Sequence, residues 1–498
     1  MEVRRDRVAK SRAMRERPSV PWRRWVLLAA ALLAIGPVGL VGAEASPLPP
    51  TAVVPTAPAE LEPLWAFGPD DLHVVSTEQV SDRIVDVTFR TPALTDPTTA
   101  RIILPTGYDP AADVRYPVLF LLHGGAGQYR DWSLNGAVEL TADLPLITVL
   151  PDAGRSAWYT DWFNNGAGGP PMWETYHLGQ LLPWVDQHFQ TVGTRAGRAI
   201  AGLSSGGFGT MSYASRHPDH FVAAASFSGA LDTNTPPVVA GKAIDGLAAQ
   251  DGGLPGSLFG LRELHEVRWR GHNPWDLAEN LRHLSLVVRA GNGMAGGEFG
   301  GGGPTDPGGF VLEKATYDMS VSFHERLVAL DVDHVWDDYG AGTHTYAYWI
   351  DGLAKALPVF MDAFAEQRPD PSAFTYRSVE PTYDIFDWRV ALDRPVVEFS
   401  ELDVDPTGFA LRGSGSATVT TAPAFVPNQP YDVLLTRADG STEQRTVRAD
   451  RSGRLTLDVP LGAANAVQQL FLPTHDSPLT TVHETRVDIA RTKPGSGR

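Results

Sequence analysis

Residues 198–210 read RAIAGLSSGGFGT, an apolar run that turns through glycine and two serines into a segment compatible with a helix. Within it, Gly202-Leu203-Ser204-Ser205-Gly206 fits the pattern G-x-S-x-G. Between a strand and a helix, this pattern forms a sharp turn that exposes the central serine, and the glycines let neighbouring backbone approach closely. The stretch therefore predicts a strand, a strained turn at Ser204 and then a helix.

Short β-branched or apolar runs alternate with longer helical patterns from residue 65 to about residue 368. This alternation favours an α/β domain with a mostly parallel sheet flanked by helices. Two helices are predicted over residues 173–189 and 346–364, where apolar residues fall largely on one side. The predicted strands are residues 100–104, 118–122, 147–150, 199–201, 223–227, 285–289 and 334–339.

The N-terminal residues have a different composition. Residues 1–45 combine a basic run, an apolar block over 26–42 and the small-residue site Ala43-Glu44-Ala45, which is the pattern of an export signal cleaved before Ser46. Residues 46–64 are rich in proline and alanine and predict a linker. A secreted or envelope-associated protein is expected, and a retained N-terminal anchor is the alternative.

Beyond residue 368, alternating runs are separated by turn residues. Runs 431–435, 443–448 and 455–459 are punctuated by Asp439-Gly440 and Ser452-Gly453, which is typical of hairpins. Residues 372–491 therefore predict a small β-sandwich domain, and residues 492–498 a frayed tail. The expected role of the β-sandwich domain is accessory packing or binding, including contact with a cell-wall glycan.

Charge and cysteine content exclude several functions. The chain of 498 residues has a formal net charge of −17, and no basic patch follows the basic run of residues 1–45, so no nucleic-acid partner is expected. It has no cysteine, which excludes thiolate chemistry. Gly291-Asn292-Gly293 lacks the third glycine of a dinucleotide motif, and no metal-binding motif is present. Neither a cofactor nor a metal is predicted.

A serine hydroxyl is a weak nucleophile until a base removes its proton, so Ser204 requires a histidine. His344 lies in a loop between the last predicted strand and the last predicted helix, and it follows Ser204 in the chain order of α/β-hydrolases. His272 and His283 precede the strand over 285–289, and His324 lies inside an amphipathic helical pattern. These three histidines fit the role of base less well.

An acid must also hold the imidazole, and position alone leaves several candidates after the strand over 285–289. Glu298 and Asp306 lie in the flexible tract AGGEFGGGGPTDPGG. Glu313 follows at the start of a helical pattern, and Asp318 lies further along it. A rigid carboxylate orients an imidazole better than a flexible one, which favours Glu313.

Backbone N–H groups must face the oxyanion that develops during acyl transfer. The segment FLLHGGAGQ, residues 120–128, ends a predicted buried strand and matches the HGG type of oxyanion loop. The predicted donors are the N–H groups of Gly125 and of Ser205, the residue after the nucleophile. His123 itself is predicted to be structural.

The catalytic region resembles the esterase D-type α/β-hydrolases, and within them the secreted mycolyltransferases of the antigen 85 group. The similar segments occur in the order of that family over about residues 80–365. They are SAWYTDWF, WETYHLGQLLPW, GLSSGG, SGALD, HNPWDL, GNG followed by FVLE, and GTHTYAYW.

The resemblance implies an α/β-hydrolase fold with Ser204 as nucleophile, Glu313 as acid and His344 as base. The mycolyltransferase oxyanion loop usually reads Asp-Gly-Leu-Arg, whereas this chain has His123-Gly124-Gly125-Ala126, which is closer to plain esterases. The substrate contacts implied by the resemblance are Gly125, Ala126, Asp232, Thr345 and Tyr346.

The implied function is a secreted serine esterase or acyltransferase. Its ester substrate would be an acyl lipid or an acylated sugar, and the acyl group would pass to water or to a sugar hydroxyl. The alternative is a catalytically silent cell-wall or carbohydrate-binding protein on a hydrolase scaffold.

Overall fold

The computed structural model describes residues 65–235, 244–469, 471 and 480–492. The predicted export signal and linker, and the predicted tail beyond residue 492, lie outside the described residues. Within the described part of the chain, no helix is long and apolar enough to cross a membrane.

A nine-stranded mixed sheet is formed by strands between His73 and Asp338. Its strands are β1 His73–Ser81, β2 Ile84–Arg90, β3 Thr98–Ile103, β4 Val118–Leu122, β5 Ile147–Pro151, β6 Arg198–Leu203, β7 Ala223–Phe227, β8 Ser285–Ala290 and β9 Val335–Asp338. Their order in the sheet is β1-β2-β3-β5-β4-β6-β7-β8-β9. Pairing is antiparallel from β1 to β5 and parallel from β5 through β4 to β9.

Helices cover both faces of this sheet. Along β4, Phe120 and Leu122 join one apolar core, whereas Leu119 and Leu121 join another, as expected for a strand buried on both sides. Among the described residues, the helices include α1 Asp131–Leu134, α2 Ala137–Leu140, α3 Leu182–His188, α4 Ser205–Arg216, α5 Arg262–Gly271, α6 Pro307–Ala329 and α7 Tyr346–Glu366. The predicted α/β-hydrolase fold class is confirmed.

The seven predicted strands correspond to β3 through β9, but the sequence did not predict β1 and β2. All nine residues of β1 are exposed. Its sequence HVVSTEQVS therefore lacks the alternation of apolar and polar residues by which a half-buried strand is recognised. The helix predicted over 173–189 is confirmed, but it is not α-helical throughout. It is π-helical over Thr175–Leu181 before α3 begins, and Pro183 has no N–H to close an α-helical bond to residue 179.

Two antiparallel sheets form the C-terminal region. They consist of β10 Phe374–Ser378, β11 Thr382–Ile385, β12 Trp388–Asp393, β13 Ser400–Asp405, β14 Gly408–Gly413, β15 Ser416–Thr420, β16 Pro430–Arg437, β17 Thr442–Arg448, β18 Thr456–Pro460 and β19 His483–Arg491. The sheet orders are β10-β13-β14-β19-β16-β17 and β11-β12-β15-β18. Apolar side chains of both sheets share one core, as in a sandwich.

Of the two hairpin turns predicted in this region, the structure contains one. Asp439-Gly440 lies in a true hairpin, since β16 and β17 pair on either side of it and Gly440 has φ of 81°. Ser452-Gly453 is not a hairpin turn, because β17 belongs to the six-stranded sheet and β18 to the four-stranded one. This second turn carries the chain from one sheet to the other.

Polar contacts join the carboxyl end of α4 to the C-terminal sheets. Arg216 ends α4 and donates to Glu174 at 3.0 Å and to Glu380 at 3.1 Å. The Tyr376 hydroxyl of β10 donates to the carbonyl of Arg216 at 2.6 Å. The helix that begins beside Ser204 is thus held at its far end by residues of the β region.

Candidate active site

The predicted turn places Ser204 between β6 and α4 in a strained conformation. Its φ of 55° and ψ of −122° lie outside the regions that a side chain adopts readily. The Ser204 N–H donates to the carbonyl of Phe227 on β7 at 2.9 Å, which holds the turn against the neighbouring strand. Strain at a serine between strand and helix is typical of a nucleophile elbow.

Glycines on both sides of Ser204 permit this turn. A Cβ on Gly202 would lie 2.3 Å from the carbonyl oxygen of Gly206, and a Cβ on Gly206 would lie 2.3 Å from that of His123. Real Cβ atoms do not approach backbone so closely, so neither position accommodates a side chain. The pattern G-x-S-x-G therefore reflects packing between β6, α4 and the loop after β4.

We expect Gly206→Ala to lower the free energy of unfolding by about 1–3 kcal/mol, because the added methyl group forces the backbone at His123 to move. Gly308→Ala is the matched control, since nothing lies within 4 Å of a Cβ at Gly308. Denaturant unfolding of both variants measures the difference. Equal stability of the two variants would show that the contact at Gly206 is not tight.

Three separate elements bring Ser204, His344 and Glu313 together. His344 Nε2 lies 2.9 Å from Ser204 Oγ, and His344 Nδ1 lies 2.7 Å from Glu313 Oε2. An ionised carboxylate only accepts hydrogen bonds, so Nδ1 carries the proton and Nε2 is free to accept from the serine hydroxyl. This is the geometry of a nucleophile, a base and an acid.

Glu313 lies in α6 and is fully buried. Its second oxygen, Oε1, accepts from Ser228 Oγ at 2.8 Å, from Gly291 N at 2.9 Å and from the Tyr339 hydroxyl at 2.5 Å. Burial alone would raise the pKa of Glu313, but the bond and charge of His344, together with Tyr339 and Gly291, lower it below its usual value. The carboxylate is therefore ionised.

Ser228 and Tyr339 were not predicted as site residues. Ser228 follows β7, and Tyr339 is the last residue of the strand predicted over 334–339. A single serine or tyrosine at the end of a strand matches no sequence motif. The partner of both residues, Glu313, lies on another element, α6. Only the order of the parallel strands, whose carboxyl ends meet at one edge, could have indicated that these residues converge.

The other candidate acids have different partners. Asp306 caps α6 by accepting from Gly309 N at 3.1 Å, and it also accepts from Thr343 Oγ1 at 2.5 Å. Asp318 forms an ion pair with Lys314. Glu298 is exposed and makes no hydrogen bond to His344 within the described residues. Of the four carboxylates, Glu313 alone contacts His344 in this structure.

The alternative histidines also lie elsewhere. His272 is buried and its Nδ1 lies 2.8 Å from the carbonyl of Arg268. His324 Nδ1 lies 2.7 Å from His334 Nε2. His283 packs edge-on against Phe386 of the C-terminal region. The geometry therefore favours His344 as the base.

The loop after β4 is pinned beside the turn. The carbonyl of Gly124 accepts from His123 Nδ1 at 2.8 Å and from Gly127 N at 3.0 Å. A planar trans peptide directs its carbonyl and its N–H to opposite sides, so these bonds also fix the direction of the Gly125 N–H. Ala126 N already donates to Arg155 O at 2.6 Å, which leaves Gly125 as the better oxyanion donor.

Gly125 also lies close to the residue after the nucleophile. A Cβ on Gly125 would be 3.7 Å from Ser205 Oγ. The two predicted oxyanion donors, Gly125 N and Ser205 N, thus belong to neighbouring pieces of backbone. Their role as donors stays a prediction.

His123 is held in place at both ring nitrogens. Nδ1 donates to the carbonyl of Gly124, and Nε2 lies 3.0 Å from Ala153 N and 3.2 Å from Asp152 Oδ1. The side chain is buried, with 1% of the residue exposed. This arrangement agrees with the structural role predicted for His123.

The predicted substrate residues occupy two environments. Gly125, Ala126 and Thr345 are exposed, and Tyr346 is half-buried. Tyr346 packs edge-on against Trp132, with ring centroids 5.7 Å apart. Thr345 and Tyr346 directly follow His344 in the chain, and Gly125 lies near Ser205, the residue after the nucleophile.

Asp232 lies in a buried polar cluster instead, with 1% of the residue exposed. Its carboxylate accepts from Asn234 N at 3.0 Å, from Thr235 Oγ1 at 2.6 Å and from Ser322 Oγ at 2.7 Å. No hydrogen bond joins it to Ser204 or His344 among the described residues. Its contact with substrate stays a prediction, and the structure gives it partners within the protein.

The comparison with protein families identifies this region. The Esterase family model, described as "Putative esterase", matches residues 91–360, which is more than half of the chain. The chain belongs to this esterase family. The match includes Ser204, Glu313 and His344, and it confirms the family resemblance inferred from the motifs.

Two curated relatives are similar to this member of the esterase family. An esterase of Mycobacterium tuberculosis is 33% identical over 308 residues, which make up 59% of this chain and 64% of the relative. This chain therefore spans less than two thirds of that relative. The diacylglycerol acyltransferase/mycolyltransferase Ag85B of Mycolicibacterium smegmatis is 28% identical over 253 residues, or 48% of this chain and 75% of the relative.

Among solved structures, Mycobacterium tuberculosis MPT51 is similar to this esterase-family chain. The alignment has a TM-score of 0.45 and 20% identity, and it covers 59% of this chain and all of that protein.

Proposed function

We propose that this member of the esterase family is a serine esterase or acyltransferase that forms an acyl-enzyme on Ser204. The observation that carries the proposal is the chain of hydrogen bonds from Ser204 Oγ through His344 to Glu313, at 2.9 Å and 2.7 Å. The curated relatives, one an esterase and one an acyltransferase, support the same chemistry.

The proposed reaction begins with attack of Ser204 Oγ on the ester carbonyl carbon. His344 Nε2 takes the hydroxyl proton, and Glu313 stabilises the imidazolium without taking a proton itself. The carbonyl electrons move onto oxygen, where the N–H groups of Gly125 and Ser205 would bind the resulting oxyanion.

The tetrahedral intermediate then collapses. The bond to the leaving alcohol breaks, and His344 returns the proton to the alcohol oxygen. The acyl group is now an ester of Ser204. Water or a sugar hydroxyl repeats the attack, with His344 again as the base, and regenerates the free serine.

The test is product analysis with a p-nitrophenyl ester in the presence and absence of trehalose. We expect p-nitrophenol release in both cases, and mass spectrometry separates free acid from acylated sugar. Acylated sugar would show transfer, and free acid alone would show hydrolysis. No p-nitrophenol release with esters of any chain length would favour the catalytically silent carbohydrate-binding alternative.

We further propose that the protein is exported and acts on an acyl lipid or an acylated sugar outside the cytoplasm. The basic run, apolar block and small-residue site of residues 1–45 support export.

For the C-terminal sheets we propose accessory packing, supported by the bonds of Tyr376 and Glu380 to Arg216. Contact of these sheets with a cell-wall glycan is a further proposal, based on the predicted export.

A further inference from the structure

Tyr339 lies directly after β9, and its hydroxyl reaches the buried carboxylate of the active site. It donates to Glu313 Oε1 at 2.5 Å, and Ser228 Oγ and Gly291 N donate to the same oxygen. This arrangement leaves Oε2 to His344. Tyr339 therefore contacts the acid from the side opposite to the imidazole.

The Tyr339 ring is held in place by a cation and by a second aromatic ring. The Arg289 guanidinium carbon lies 4.7 Å from its centroid, and the Tyr348 ring lies 5.0 Å away at an interplanar angle of 13°. A Cβ on Gly291 would be 2.1 Å from the Tyr339 ring, and one on Gly342 would be 2.5 Å from it. Glycine at these two positions makes room for the ring, so the hydroxyl has little freedom to leave Glu313.

Burial and the Glu313 charge keep the Tyr339 hydroxyl a donor, against the opposing charge of Arg289. Arg289 is the cation that faces the ring, and it is itself paired with Asp337 and Asp351. Burial and the adjacent Glu313 carboxylate raise the pKa of the Tyr339 phenol well above its usual range. The proton thus stays on Tyr339 over the pH range in which an imidazole titrates.

We propose that Tyr339 is a positioning residue of the active site, which orients the Glu313 carboxylate toward His344 and limits its basicity through the hydrogen bond to Oε1. This inference rests on the proposed function. When Ser204 Oγ gives its proton to His344 Nε2, both imidazole nitrogens carry protons. The Tyr339 bond to Oε1 holds Oε2 against the Nδ1 proton, so the imidazolium keeps the orientation in which Nε2 returns its proton to the leaving alcohol.

The test compares Tyr339→Phe with the matched variant Tyr348→Phe. Each loses one phenol hydroxyl and keeps its ring, but the Tyr348 hydroxyl donates to the carbonyl of Gly300 at 3.0 Å and does not bond to Glu313. For Tyr339→Phe we expect kcat to fall about tenfold with KM unchanged, since the lost bond is to a charged group. We expect Tyr348→Phe to leave the shape of the pH–rate profile unchanged.

The pH dependence separates positioning from a general loss of structure. Without the Tyr339 donor, Glu313 holds more negative charge toward His344 and favours the imidazolium. The acid limb of kcat/KM is therefore expected to move to higher pH by about half a unit or more in Tyr339→Phe alone. An acid limb that stays in place, or that moves equally in both variants, would overturn the proposal.

A second measurement does not require turnover. The proton in the 2.7 Å hydrogen bond between His344 Nδ1 and Glu313 is expected to give a low-field NMR resonance, which can be followed against pH in the wild type and in both variants. Titration at higher pH in Tyr339→Phe supports the proposal, and an unchanged titration overturns it. A wild-type protein that shows the resonance but hydrolyses no ester would contradict the proposed function and leave the role of Tyr339 to be decided by NMR.

Discussion

Ser204→Ala is expected to lower kcat for a p-nitrophenyl ester on the order of 10⁶-fold, which is the loss typical of a serine hydrolase without its nucleophile. The substitution removes the only atom of the site that forms the acyl bond, while His344, Glu313 and the loop after β4 stay in place. Initial rates at saturating ester, corrected for hydrolysis in buffer, measure this effect.

Ser205→Ala is the matched control for this prediction. It removes the neighbouring hydroxyl, which has no hydrogen-bond partner among the described residues, but it keeps the backbone N–H. We expect it to lose far less activity than Ser204→Ala. Comparable losses in the two variants would mean that the turn, rather than the Ser204 hydroxyl, is what the reaction requires.

Glu313→Gln is expected to lower kcat on the order of 10⁴-fold, as removal of the charged acid does in other triads. If the glutamine amide oxygen faces Ser228, Gly291 and Tyr339, its NH₂ group faces His344 Nδ1. The imidazole must then carry its proton on Nε2, where it cannot accept from Ser204. In the opposite amide orientation, the NH₂ group would face the three donors Ser228, Gly291 and Tyr339, which would then lose their acceptor.

Glu298→Gln is the control, because Glu298 is an exposed carboxylate in the neighbouring loop and was a candidate acid from sequence alone. We expect its kcat to stay within about twofold of the wild type, as for a surface change outside the site. Steady-state kinetics of both variants over a range of pH make the comparison. A large loss of kcat in Glu298→Gln with little loss in Glu313→Gln would mean that Glu298, and not Glu313, is the acid of the site.

The sequence predicted those parts of the fold and site that have local signals. The strands around the turn at Ser204 have continuous apolar runs, since β4, β6 and β7 are buried along their whole length. The loop FLLHGGAGQ and the turn AGLSSGG have glycines whose spacing reflects close backbone packing. Such features depend on neighbours along the chain and can be recognised without the structure.

Other parts depend on contacts between distant segments. Chain position left the acid open, and it is the burial of Glu313 and its bond to His344 that separate it from Asp306 and Glu298. The strand β1 escaped prediction because it is paired but exposed. Tyr339 could not be predicted, since its partner Glu313 lies 26 residues away on another element.

The central claim, that Ser204 is the acylated nucleophile, is tested most directly by mass spectrometry of the protein after reaction with a fluorophosphonate. Such a probe forms a stable bond to an activated serine. The account predicts one adduct per chain on the peptide that contains Ser204, and no adduct in Ser204→Ala or in His344→Ala. An adduct on another residue, or full loss of activity with Ser204 unmodified, would contradict it.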